Sequence, residues 1–184
     1  MTPRLRRFTS TPTDVDEVTA PLIAAYAQVR KPLLHLPNYA LPTFTERLER
    51  HRRERGFGAV LAFDSEGRPV GYAYGNTVES GDRWWARMGE VDARFTGAPT
   101  LALKEIGVTI PYRGTGLARR IHDQLLTGRG EVYVSLMVNS TAGDGKVQRV
   151  YESWGYRVIG TSRPSPESPV LSSMIRKIAE EPVG

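Results

Sequence analysis

The chain has 184 residues, 40% of them hydrophobic and 24% charged, with no cysteine and a net charge of +5. That length supports one sizeable core, and the lack of thiols excludes disulfides, thiolate metal sites and an acyl-cysteine intermediate. No apolar run approaches the roughly 18 residues of a membrane span, and the 21 arginines (against 4 lysines) are scattered, so a solvated surface is expected rather than a nucleic-acid or membrane face.

The N-terminal residues TPRLRRFTSTP are basic but lack the apolar stretch of a secretory signal, and Asp14, Asp16 and Glu17 follow too soon for a transit peptide. A cytoplasmic protein is expected. Residues 4–9 read as a first strand. Thr13 or Asp14 is placed to cap a helix through about Arg30, with Val18, Leu22, Ala25 and Val29 on one face. Pro32, Pro37 and Pro42 impose a loop, and Thr43 or Thr45 opens a second helix to about Arg55, whose basic block HRRER suits a helix C-terminus. Residues 57–63 and 69–78 read as strands joined by the hairpin signal Asp64-Ser65-Glu66-Gly67. The polar stretch 79–99 has no clear period. Then come a strand at 101–110, a helix at 115–127, a strand at 131–138 and a helix from about Asp144 to Trp154. Residues 156–162 and 169–178 close the chain as an antiparallel pair across a Pro/Ser-rich loop. Neither a repeat nor a linker interrupts residues 1–184, which read as a single domain of mixed α/β (α+β) class.

The most informative segment is Arg113-Gly114-Thr115-Gly116-Leu117-Ala118, set where an apolar strand ends and an amphipathic helix begins. A helix start leaves backbone amides without partners and carries partial positive charge, and two glycines let the main chain approach a phosphate closely. A dinucleotide fingerprint needs an N-terminal βαβ unit and a later carboxylate, and residues 134–138 (VSLMV) carry none. A nucleotide-triphosphate loop fails too, because Ser140 stands where its first glycine belongs ahead of Gly145-Lys146. The run instead resembles the [QR]-x-x-G-x-[GA] pyrophosphate loop of the GNAT superfamily of N-acetyltransferases, with Arg113, Gly116 and Ala118 in its fixed positions. Tyr151-Glu152-Ser153-Trp154-Gly155-Tyr156 resembles that family's Tyr-x-x-x-Gly-[Phe/Tyr] signature. The resemblance covers residues 57–178 well, and residues 1–56 more loosely as a first strand and two helices on the acceptor side.

The resemblance implies a mostly antiparallel central sheet flanked by helices, acetyl-CoA as co-substrate, and direct attack by a primary amine of a small molecule or peptide in a ternary complex. It also implies that the main chain of Val108, Thr109 and Ile110 pairs with the pantetheine arm while Arg113, Gly114, Thr115, Gly116, Leu117 and Ala118 hold the phosphates. Acetyl transfer needs a neutral amine, and a lysine-like amine is deprotonated in only about 1 part in 2,500 at pH 7. A base is therefore required. Glu105, on one strand face with Leu101 and Leu103, is the candidate, with a raised pKa if it is desolvated. The alternative is a structural glutamate paired with an arginine. Tyr151 shares the stripe Val147, Val150, Tyr151, Trp154, which predicts packing against the sheet; the resemblance makes it the acid that protonates the departing thiolate. The family's coenzyme-contacting asparagine falls at Asp144 here, with Asn139 further upstream as the other candidate. Gly107 is expected to mark an irregularity in the central strand. Trp84, Trp85, Glu90 and Asp92 offer an acceptor groove for a cationic amine, or else a tucked-in aromatic pair. His35 and Tyr39 lie in a Pro-rich segment where the family lines that groove. His122 reads as a surface residue, and no ligand spacing points to a metal. A homodimer is compatible with the sequence. The alternative function is an acyl-CoA-binding, catalytically silent regulatory or interaction domain.

Overall fold

A computed structural model describes residues 2–163 and 168–178. Seven strands form one sheet in the order β1-β2-β3-β4-β5-β7-β6: β1 Arg4–Phe8, β2 Gly58–Phe63, β3 Pro69–Val78, β4 Thr100–Val108, β5 Tyr133–Asn139, β6 Arg157–Ser162 and β7 Leu171–Lys177. The helices are α1 Pro12–Val29, α2 Leu41–His51, α3 Arg83–Arg87, α4 Ala93–Thr96, α5 Leu117–Leu126 and α6 Lys146–Ser153. β1 with β2, β2 with β3, β5 with β7 and β6 with β7 pair antiparallel, while β4 and β5 pair in parallel through Thr100–Ala102. The mostly antiparallel, helix-flanked sheet expected above is the observed one. The Pro/Ser-rich loop expected between the last two strands falls largely on residues 164–167, outside the described residues.

The chain forms two compact units, residues 1–76 with 103–127, and residues 77–102 with 128–184. In the first, the register sets Ala59 opposite Tyr74 and Leu61 opposite Tyr72, so these four side chains share one sheet face. They pack with Val18, Leu22, Ala25, Tyr26 and Val29 of α1 and Phe44 and Leu48 of α2. Tyr26 and Phe44 stack with ring centroids 3.6 Å apart. Helix α5 covers the other face, burying Leu117, Ile121, His122, Leu125 and Leu126. His122 is thus a core residue rather than the surface residue expected, its Nδ1 3.0 Å from Asp123 Oδ1. It stands one residue from Ile121 on the apolar arc of the helix, and imidazole is tolerated there because a carboxylate satisfies its ring nitrogen.

Helix α1 is capped not by Thr13 or Asp14 but by Thr11, whose Oγ1 accepts from the Asp14 amide; the Asp14 carboxylate turns back to accept from the Thr9 amide and hydroxyl. The expected loop over residues 31–40 contains two 3₁₀ turns, Lys31–Leu33 and Pro37–Tyr39. Helix α2 opens at Leu41, with Pro42 in its first turn, where a missing N–H costs nothing. Gly107 adopts ordinary strand geometry. A Cβ there would lie 2.6 Å from Val29 Cγ1, so the close approach of α1 leaves no room for a side chain at this position.

In the second unit the polar stretch 79–99 proves to be structural. Asp82 and Asp92 accept from the amides of Trp84 and Arg94 and so cap two short helices. Trp84, Trp85, Met88 and Phe95 pack with Val78, Ala102 and Ile175. The indole of Trp84 donates to Ser135 Oγ (2.8 Å) and that of Trp85 to the Glu79 carbonyl (3.0 Å). Both tryptophans are buried, so the tucked-in pair holds and an aromatic acceptor face does not. Gly89 has φ +83°, and a Cβ there would sit 2.5 Å from the Thr161 carbonyl oxygen. Gly89→Ala is therefore expected to cost about 2–4 kcal/mol, through backbone strain and an unavoidable clash. Urea denaturation should show the lower midpoint with little change in m.

Candidate functional site

The loop before α5 is shaped by its glycines. A 3₁₀ turn over Ile110–Tyr112 follows β4, then Gly114 (φ +73°) and Gly116 (φ +81°) take left-handed conformations that deliver the chain into the helix. The Thr115 hydroxyl donates to the Tyr112 carbonyl at 2.7 Å, bracing the turn. Gly116 is the helix N-cap and provides no side-chain acceptor. Among the described residues, the amides of Gly114, Thr115, Gly116, Leu117 and Ala118 donate no hydrogen bond of ordinary geometry. A Cβ built on either glycine meets nothing within 4 Å, so open space lies over these donors. Five free amides at the positive end of a helix form an anion cradle.

Just upstream, the main chain is only partly free. The Thr109 amide donates to the Val70 carbonyl (2.9 Å) and its carbonyl accepts from Tyr112, while the Ile110 carbonyl accepts from Arg113. Ile110 opens the 3₁₀ turn, with its side chain 61% exposed. Of the three residues expected to pair with an extended arm, Thr109 has its amide bonded to Val70 and its carbonyl accepting once from Tyr112.

Glu105 lies on the same face of the first unit as Tyr72. It is reached by Arg30 at the end of α1 (Nη2 to Oε2, 3.1 Å), Arg47 on α2 (Nη2 to Oε1, 2.8 Å) and the Tyr72 hydroxyl, which donates to Oε2 at 3.3 Å. Its side chain is 16% exposed, against 27% for Arg30 and 26% for Arg47. The carboxylate is thus flanked by two guanidiniums and not left in an apolar setting. This partnership was invisible in sequence, because Arg30 and Arg47 lie 75 and 58 residues away from Glu105. Below the pair is an aromatic floor. The Tyr26 hydroxyl donates to the Tyr39 carbonyl, the Tyr74 hydroxyl lies 3.2 Å from His51 Nδ1, and the Arg30 guanidinium stands 5.8 Å from the Tyr39 ring. Burial, reinforced by the Glu105 charge and opposed by the arginines, raises the phenols of Tyr26, Tyr72 and Tyr74, with Tyr72 and Tyr74 raised furthest. The guanidiniums of Arg30 and Arg47 resist the loss that burial alone would favour, because Glu105 and the tyrosine hydroxyls hold their protons.

In the second unit, Tyr151 on α6 meets Trp154 and Tyr156 edge-on, at ring-centroid distances of 5.4 and 5.6 Å. The helix buries none of its residues, and Val147 and Val150 are 38% and 44% exposed. The expected stripe is thus not a buried face, and its aromatic members Tyr151 and Trp154 pack on each other and, through Tyr151, on Tyr156. Asn139 is committed locally: its Oδ1 accepts from the Thr141 amide (3.0 Å) and hydroxyl (2.9 Å), closing an Asx turn. Asp144 adopts φ +56°, an unusual state for a non-glycine residue, one position before Gly145 caps α6. Asp92 caps α4 and pairs with Arg94, away from the acceptor role considered for it. Among the described residues there is no group of three or more His, Cys, Asp or Glu able to hold a metal ion, and no helix long and apolar enough to cross a membrane.

No family model and no curated protein sequence matches the chain. Solved structures match it over almost its full length. The arylalkylamine N-acetyltransferase 2 of Aedes aegypti superposes with a TM-score of 0.65 at 14% identity, covering 96% of this chain and 100% of its own. The Arabidopsis thaliana NAA60 in complex with acetyl-CoA gives 0.61 at 14% identity, covering 96% and 99%. The ribosomal-protein-S18-alanine N-acetyltransferase of Escherichia coli gives 0.59 at 18% identity, covering 97% and 96%. This chain has the GNAT fold. Identities this low establish the architecture and leave the chemistry to the site.

The three shielded phenols make a direct test of this cluster. A phenol raised on folding adds stability that is complete below its unfolded pKa of about 10 and is lost as pH rises above it. Absorbance at 295 nm should show Tyr26, Tyr72 and Tyr74 unionised at about pH 11 while the protein is folded, with the missing amplitude appearing only on unfolding. Tyr72→Phe should remove one increment of that amplitude.

Proposed function

We propose that the chain is an acetyl-CoA-dependent N-acetyltransferase that transfers the acetyl group to a primary amine of a small molecule or peptide by direct attack in a ternary complex. The observation that carries this reading is the cradle: five unpaired amides, two left-handed glycines and open space at the start of α5. A linked pair of phosphoryl groups fits such a surface, and Arg113 adds a guanidinium beside it. Support also comes from the fold, shared with NAA60 crystallised with acetyl-CoA and with enzymes that acetylate arylalkylamines and a ribosomal protein alanine.

The co-substrate supplies an activated thioester; the protein's task is to bind, orient and move protons. In this proposal Gly114, Thr115, Gly116, Leu117 and Ala118 bind the diphosphate through main-chain donors, and Val108, Thr109 and Ile110 line the path of the thioester arm. Glu105 is the carboxylate that receives the amine proton, directly or through water, as the C–N bond forms and the C–S bond breaks. Tyr151 returns a proton to the sulfur, and Asn139 contacts the coenzyme. The arginine pairing favours a second role for Glu105, as the anchor that positions Arg30 and Arg47. All 184 residues are assigned to this one acyltransferase domain.

The test is release of free thiol from acetyl-CoA against a panel of amines, together with calorimetry of coenzyme binding. Heat of binding with turnover of at least one amine is the expected result; binding without turnover on any amine would point to a silent regulatory domain. Glu105→Gln should lower kcat by about 10²–10⁴ if the carboxylate is the base. An anchoring role would instead appear mainly as a raised acceptor KM with kcat largely kept. Tyr151→Phe should slow the thiol-releasing step while calorimetry still detects the coenzyme.

A further inference from the structure

Two arginines share one carboxylate in the first unit. Among the described residues no second carboxylate lies within 4.0 Å of Arg30 or Arg47, so the Glu105 cluster carries a surplus positive charge. Each arginine side chain is about three-quarters shielded, a setting in which an unbalanced charge is expensive. Arg30 Nε is buried without a hydrogen-bond partner, although Nη2 of the same side chain is bonded to Glu105. A cluster selected for stability alone would pair one guanidinium with one carboxylate and leave no buried donor idle. The cluster also has a built frame: Tyr26 and Phe44 stack beneath it, the Tyr72 hydroxyl braces Glu105, and the Tyr39 ring lies beside Arg30. Solvent still reaches all three charged side chains, so a ligand can as well.

We propose that Arg30 and Arg47 hold an oxyanion of the acceptor, so that the amine acylated by this protein also carries a carboxylate or a phosphate. The fork of a guanidinium matches either group bidentately. A docked anion would cancel the surplus charge, and its attached amine, itself attracted to a carboxylate, would be directed toward Glu105. This inference rests on the acyltransferase reading above and adds the substrate class. It also accounts for Glu105 being held by two cations: the carboxylate fixes the guanidiniums between substrate turnovers, when no ligand neutralises them.

Thiol release from acetyl-CoA should be measured with the full chain on matched pairs. These are amino acids against their carboxamides, acidic peptides against their amidated forms, and aminoalkyl phosphates against the parent amino alcohols. The expected result is a kcat/KM at least about 100-fold higher for the anionic member of one series, since a site built to bond a polar group rejects the analogue lacking it. Which series shows it separates carboxylate from phosphate recognition. Arg47→Gln should reduce that ratio below about 10, and Arg47→Lys, which keeps the charge but loses the fork, should fall between. The wild-type comparison stands even if a variant fails to fold. Equal turnover of charged and neutral members overturns the anionic acceptor while leaving acyl transfer intact. No turnover of any pair overturns both readings.

Discussion

The first unit is organised around a charge carried into an apolar face. Glu105 stands on β4 with its carboxylate reached from α1 and α2 and its side chain only 16% exposed. A carboxylate there needs partners, and the two helices each bring one: Arg30 from the end of α1 and Arg47 from the middle of α2. The three-way pairing fixes where both helices sit on the sheet, because each guanidinium must reach a different oxygen of the same group. Burying three charges together is costly unless geometry is good and hydrogen bonds are plentiful. Short contacts and the surrounding phenols meet that condition for Glu105, and less completely for Arg30.

The same arrangement explains the aromatic layer below. Tyr26, Tyr72 and Tyr74 are large enough to fill the space between sheet and helices, yet each has a hydroxyl that must be satisfied. Those hydroxyls reach the Tyr39 carbonyl, Glu105 and His51, so the polar rim and the apolar floor belong to the same side chains. The segment between α1 and α2, with its two prolines, is therefore tied to the cluster through Tyr39 rather than left as an open loop.

The cradle obeys a different constraint. Its geometry needs no charged partner, only backbone in the left-handed region at Gly114 and Gly116 and a helix that begins without a side-chain cap. Side chains there would strain the loop, and a capping hydroxyl or carboxylate would occupy the amides. Side-chain charge enters the first unit elsewhere, in the cluster of Arg30, Arg47 and Glu105.

What the sequence determined by itself was local or periodic. Apolar runs and turn chemistry gave the hairpin read at 57–63 and 69–78, another apolar run gave β4, and the glycine pair at the head of an amphipathic stretch gave the loop before α5. These depend on backbone sterics and on burial of one face, which are written in neighbouring residues. Tertiary structure decided the rest. The 79–99 stretch was opaque because two four- or five-residue helices are too short to show a period; only the aspartate caps at Asp82 and Asp92 hinted at them. His122 was misread because the sheet that buries its face comes from strands distant in sequence. The partners of Glu105 lie 58 and 75 residues away, beyond any spacing rule. Short-range geometry is encoded by adjacent residues, whereas the balance of buried charge exists only once the chain has folded and brought those residues together.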